Sequence, residues 1–177
     1  MRIGGQVSDL VRPGKQPRMA VPQDLLRRLM SPAEVRITIQ ASPDEVYEVL
    51  ADPETYPEWL AGAQRIRHVD AAFPHPGAEF DHEVGPTQEV TVADDTTALV
   101  AEPPHHLQLE VHAGPVTGVV DFRLTPTGQG TEVVFRESLV GRLGLSMPLM
   151  RSVIHLRNKG SLERLKQRFV PLVVPLQ

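Results

Sequence analysis

The stretch Ile37–Trp59, ITIQASPDEVYEVLADPETYPEW, decides how the rest of the chain is read. Its first residues finish a run, EVRITIQ, in which Val35, Ile37 and Ile39 alternate with Arg36, Thr38 and Gln40. That period of two marks a strand with one face buried. The strand is stopped by Ser42-Pro43, and Glu45 lies three residues after Ser42. A serine cap, a proline at the first helical position and a glutamate at the third form a capping box, so a helix is predicted from Pro43 with Val46, Val49 and Leu50 on its apolar face. Asp52-Pro53 repeats the cap-then-proline device and starts a second short helix, PETYPEWL, interrupted by Pro57.

Downstream of Gly62 the sequence returns to alternation. Strands are predicted near 65–70, 78–84, 88–100, 106–113, 117–125 and 131–139. The turns between them are assigned to PHPG (74–77), VGP (84–86), EPPHH (102–106), AGP (113–115) and PTGQG (126–130). A last helix opens around 146–148 and runs to about Phe169, with Met150, Ile154, Asn158, Leu162, Leu165 and Phe169 as the stripe facing the sheet. Gly160 inside that helix costs up to about 1 kcal/mol relative to Ala unless close packing or a bend uses it.

Upstream, residues 1–33 carry Gly4, Gly5, Pro13, Gly14, Pro17, Pro22 and Pro32 and hold no period, which reads as a flexible N-terminal arm. Within it, DLLRRLM (24–30) has the spacing for one or two helical turns, either clipped onto the domain or free for a partner. At the other end VPLVVPLQ (170–177), with two prolines, cannot extend the last helix, and 171–177 is taken as an apolar tail. A domain over 34–170 remains.

Composition sets the outer limits. Of 177 residues, 41% are apolar and 23% charged, which suits one globular domain with an appendage. A formal charge of −4 argues against a protein devoted to the phosphate backbone of nucleic acid. With no cysteine there are no disulfides, thiolate nucleophiles or sulfur-ligated zinc sites. No stretch approaches the roughly 20 apolar residues needed to span a bilayer, and the N-terminus lacks a secretory core, so a cytoplasmic protein is expected. The seven histidines form no HExxH motif, and no metal or other cofactor is expected.

The order of strand, two short helices, six-strand meander and long C-terminal helix resembles the helix-grip fold of the START/polyketide-cyclase-like (SRPBCC) superfamily. The quoted stretch is similar to its opening strand and helix pair, and AEPPHHLQLEV (101–111) to its Pro-Pro turn and following strand. FRLTPTGQGTEVVF (122–135) resembles its penultimate hairpin, and RNKGSLERLKQRF (157–169) its final helix. The resemblance implies an α+β fold in which a curved seven-stranded antiparallel sheet wraps around the long C-terminal helix, enclosing a cavity for a small hydrophobic ligand. Lipid-, polyketide- and quinone-like molecules are all compatible with it, and fold alone does not choose among them.

Strand parity then nominates the residues facing that cavity. Phe80, His82 and Val84 share one face; Val133, Phe135 and Leu139 share another with Glu137; Ile66 and His68 share a third. With Tyr56, Trp59, Phe122, Ile154, His155 and Asn158, these supply the ligand-binding candidates Tyr56, Trp59, His68, Phe80, Phe122, Phe135, Ile154, His155 and Asn158. His82 and Glu137 are the candidate acid-base pair, because burial and proximity tune both groups for proton transfer. Arg157, Glu163, Arg164, Lys166 and Arg168 read as the solvated helix face. Three functions stay open: a carrier or sensor of a small hydrophobic or aromatic molecule, a cofactor-free cyclase or dehydratase using His82 or Glu137, and an interaction module built on the arm and tail. A homodimer is compatible with each.

Overall fold

The computed structural model describes residues 31–113, 116–140 and 148–170. The expectations for the N-terminal arm before residue 31, for the AGP turn at 113–115, for the tail beyond 170 and for the Leu139 and Met150 side chains lie outside the residues so described. Strand β1 (Ala33–Ile39) leads into helix α1 (Pro43–Leu50), a 3-10 turn (Pro53–Thr55) and helix α2 (Tyr56–Trp59). Six strands follow: β2 (Ala63–Val69), β3 (Glu79–Thr87), β4 (Val90–Glu102), β5 (His106–Ala113), β6 (Val116–Thr127) and β7 (Gly130–Val140). Helix α3 (Pro148–Gln167) is the last of the described elements. The sheet is seven-stranded and antiparallel, in the order β1-β7-β6-β5-β4-β3-β2, so the meander runs unbroken from β2 to β7 and β1 joins at the far edge. This is the helix-grip arrangement.

The local chemistry accounts for the start. Ser42 Oγ accepts from the Glu45 N–H at 3.3 Å while the Glu45 carboxylate accepts from the Ser42 N–H at 2.8 Å, completing the capping box. Asp52 accepts from the Glu54 N–H at 3.1 Å and caps the 3-10 turn. Two side chains then fix the aromatic segment: Tyr56 donates its hydroxyl to the Leu50 carbonyl at 2.7 Å, and Trp59 donates its indole N–H to Thr55 Oγ1 at 3.1 Å. Each bond satisfies the polar end of a ring whose body is buried.

One predicted turn was misplaced. VGP (84–86) is not a turn but the irregular end of β3, and the hairpin turns at Gln88-Glu89. Gly85 is there for closeness rather than for turning, since a Cβ on it would come within 1.9 Å of the Val90 carbonyl oxygen. At the β6–β7 hairpin Gly130 serves both ends, with φ at +118° and the Ile39 carbonyl oxygen 2.1 Å from where a Cβ would stand.

Helix α3 lies across the inner face of the sheet and presents Ile154, Asn158, Ser161, Leu162 and Leu165 as its buried side, with Phe169 packed at the end. Ser161, fully buried, accepts from the Ala61 N–H at 3.0 Å and donates to the Arg157 carbonyl at 2.9 Å, pinning the helix to the segment after α2. Among the described residues, no helix is long and apolar enough to cross a membrane.

Two substitutions in α3 test this packing. Ile154 is 9% exposed on the sheet-facing side, so Ile154→Ala should cost about 2–4 kcal/mol in denaturant unfolding; a cost under about 0.5 would place it on the surface. A Cβ on Gly160 would meet nothing within 4 Å, so close packing does not explain this glycine. Gly160→Ala should therefore stabilise the protein by about 0.5–1 kcal/mol in the same melts, and a loss would reveal a hidden constraint on the helix.

Candidate functional site

The cavity sits between the inner sheet face and the helices. It measures about 170 Å³ and is walled by Tyr56, Trp59, Phe80, Leu109, Val120, Phe122 and Phe135 on its apolar side. These rings form one connected set. Tyr56 meets Trp59 and Phe80 edge-on at 5.2 and 5.4 Å, Trp59 meets Phe122 at 6.2 Å, and Phe122 stacks on Phe135 at 4.5 Å. Burial raises the Tyr56 phenol far above its ordinary value, so this ring acts as a neutral wall.

Polar groups enter the cavity from two places. On β3 and β4, His82 pairs in register with Asp94, and Phe80 with Thr96. His82, Asp94 and Thr96 are 3%, 7% and 1% exposed, and all three line the cavity. His82 Nε2 lies 3.6 Å from Asp94 Oδ2, too long for a direct hydrogen bond, and Asp94 Oδ1 accepts from the His112 N–H at 3.2 Å. Among the described residues, neither His82 Nδ1 nor Thr96 Oγ1 has a hydrogen-bond partner. Opposite, Glu137 on β7 is 5% exposed and pairs through Oε2 with the Arg157 guanidinium and with Asn158 Nδ2 at 2.9 Å. Arg157 also donates to Asn158 Oδ1 at 3.2 Å from Nη2, while its side chain stays 40% exposed at the cavity wall.

The nominated acid-base partners thus belong to separate sets. His82 has Asp94 as its carboxylate neighbour, and Glu137 has Arg157 and Asn158. Of the ligand-binding candidates, Tyr56, Trp59, Phe80, Phe122 and Phe135 stand in the wall. Asn158 is fully buried and reaches the site through Glu137, while Ile154 is buried on the helix without lining the cavity. His68 faces away: a bulge between Ile66 and His68 breaks the alternation, Val69 takes the core-facing place, and His68 lies 3.5 Å from Asp70 with 67% of its side chain exposed. His155 is also exposed, and its side of α3 borders a shallow groove against β1, lined by Arg36 and Lys159.

Sequence reasoning missed Asp94, Thr96 and Arg157. The signal for the first two was present, since Asp94 and Thr96 share parity with Ala98 and face His82 and Phe80 across the hairpin. Placing the turn at 84–86 hid that register. Arg157, read as part of the solvated face, flanks the buried stripe at the row Ile154, Arg157, Ser161, and its long side chain reaches back to Glu137.

Burial pushes His82 down to about 4 and pushes Asp94 up to about 6, the latter eased by the His112 N–H. Between about pH 4 and 6 the folded pair is therefore a neutral imidazole beside a neutral carboxyl. Between about pH 4 and 6 the native Asp94 keeps a proton that the unfolded chain has lost, which makes stability fall as pH rises. Over about pH 4 to 6.5 the unfolded His82 holds a proton that the native one lacks, which makes stability rise. The two slopes oppose each other in the wild type. Relative to it, His82→Phe should lose stability as pH rises from 4 to 6, and Asp94→Asn should gain it. Urea melts across that range check both signs, and parallel profiles for the two variants would contradict the assignment.

Residues 30–170 match the family model described as polyketide cyclase / dehydrase and lipid transport. No match is found among curated proteins. Among solved structures, CV1439 from Chromobacterium violaceum is similar with a TM-score of 0.67 at 16% identity, covering 80% of this chain and 99% of its own. DynU16, a protein in the dynemicin biosynthetic locus, has a TM-score of 0.58 at 21% identity, with 77% of this chain and 46% of its own covered. CalU16 from Micromonospora echinospora has 0.56 at 19% identity, with coverage of 78% and 75%. These likenesses carry the fold, and the match over residues 30–170 carries the family: this chain belongs to the polyketide cyclase/dehydrase and lipid transport family of the SRPBCC superfamily.

Proposed function

We propose that the chain binds one small hydrophobic or aromatic molecule, lipid-, polyketide- or quinone-like, in the cavity between the sheet and α3. The observation that carries this reading is the wall itself. Five aromatic side chains converge on about 170 Å³ of space, with polar groups confined to two places beside them. Flat rings supply large contact area at little entropic cost, and a few placed polar groups orient a guest. His82 and Glu137 then act as orienting groups, as do Asp94, Thr96 and Arg157.

A second reading has one observation in its favour. Asp94, held near 6 beside an imidazole in a buried site, has the titration an acid-base catalyst of a cyclase or dehydratase needs. The proton-handling pair would then be His82 and Asp94 rather than His82 and Glu137. Turnover that falls roughly 100-fold or more in Asp94→Asn with binding retained would favour catalysis over carriage.

Native mass spectrometry of the protein purified from its own host tests the binding reading. A one-to-one adduct of small mass is expected, and it should disappear in Val111→Trp, which places an indole at a half-buried position of the wall. A wild-type chain that carries no adduct and takes up no lipid, polyketide or quinone from a panel would overturn it.

A further inference from the structure

Two buried polar atoms in the cavity are left over. His82 Nδ1 and Thr96 Oγ1 belong to side chains 3% and 1% exposed, lack a partner among the described residues, and line the same wall. They sit diagonally across the β3–β4 pair, because His82 stands opposite Asp94 and Phe80 opposite Thr96. Side chains at such diagonal positions on one sheet face lie within reach of a common small group. A buried hydroxyl or ring nitrogen without a partner is destabilising, so both atoms call for a group that pairs them.

We infer that this wall is a subsite for a single hydroxyl oxygen on a flat aromatic guest, which donates to His82 Nδ1 and accepts from Thr96 Oγ1. The direction follows from the imidazole's other side. Nε2 faces the Asp94 carboxylate at 3.6 Å, and an ionised carboxylate can only accept, so it favours the tautomer with the proton on Nε2. Nδ1 is then a lone pair and asks for a donor. A carbonyl or ether oxygen cannot answer it, whereas a phenolic or enolic hydroxyl donates to the imidazole and still accepts from the threonine. The ring that carries the hydroxyl has an aromatic wall beside it, since Phe80 lies 5.1 Å from His82 and Tyr56 meets Phe80 edge-on at 5.4 Å. The inference rests on the binding reading above and narrows its ligand to hydroxylated aromatics.

The test uses the full chain at pH 7.5, where Asp94 is ionised, and two probes of similar size, 2-naphthol and 2-methylnaphthalene, in isothermal titration calorimetry. Thr96→Val and His82→Phe should each weaken 2-naphthol by roughly 5- to 100-fold while changing 2-methylnaphthalene by less than about 3-fold. Thr96→Ser, which keeps the hydroxyl, should bind 2-naphthol nearly as the wild type does. Thr96→Val conserves volume and removes an unpartnered group, so it keeps the fold even if His82→Phe does not. If both probes bind and neither substitution separates them, the hydroxyl subsite is wrong while the aromatic cavity stands. If neither probe binds the wild type, the hydroxyl subsite fails, and the cavity reading is then decided by the adduct and panel measurements above.

Discussion

A carboxylate with almost no access to water must be paired, and at Glu137 that requirement sets the geometry of everything above the sheet. Its partners both come from α3, Asn158 from the middle of the buried stripe and Arg157 from its edge. Satisfying them together allows one rotation of the helix about its own axis. With that rotation Leu162 and Leu165 reach the core and Ser161 reaches the Ala61 N–H. Breaking the pair by removing one partner would leave a buried charge, which is far costlier than losing an apolar contact of similar size. The polar cluster therefore specifies how the helix sits, and the apolar stripe supplies the adhesion.

The same logic explains why the cavity holds two polar sets instead of one. Glu137 is answered by a guanidinium that keeps part of itself in water, so its charge is tolerated. Asp94 accepts one backbone N–H and stands beside the His82 imidazole, and burial moves both His82 and Asp94 toward their uncharged forms. One side of the cavity thus carries an ion pair and the other a His-Asp pair shifted toward its uncharged forms. The two ends of the cavity therefore differ in chemistry.

Much of this was legible in the sequence, and the failures have local causes. The capping box at Ser42 and Glu45, the proline devices and the alternation in β1, β3 and β7 are short-range rules, and they hold where neighbours three or two residues apart decide the outcome. Phe80, His82, Phe135 and Glu137 were placed inward by parity and lie there. His68 failed because a bulge adds one residue and reverses the count. Asp94 and Thr96 failed because register depends on the turn, and Gly85 looks like a turn glycine when its role is to let Val90 approach. Arg157 failed because a border position on a helix is decided by what the opposite strand offers, which no local pattern records. Which molecule fills the cavity is written in no periodicity at all.

Trp59 is the only tryptophan in the chain; it has no exposed surface, and its indole forms part of the cavity wall. The sole strong ultraviolet fluorophore of the protein is consequently held away from the surface, with its N–H engaged by Thr55. Its emission should lie at short wavelength in the native state and move to the red when the chain unfolds. A conjugated guest within a few ångströms of that ring would accept its excitation energy or quench it. On the binding reading proposed above, the tryptophan is a built-in optical gauge, and cavity filling can be followed in real time without attaching a dye.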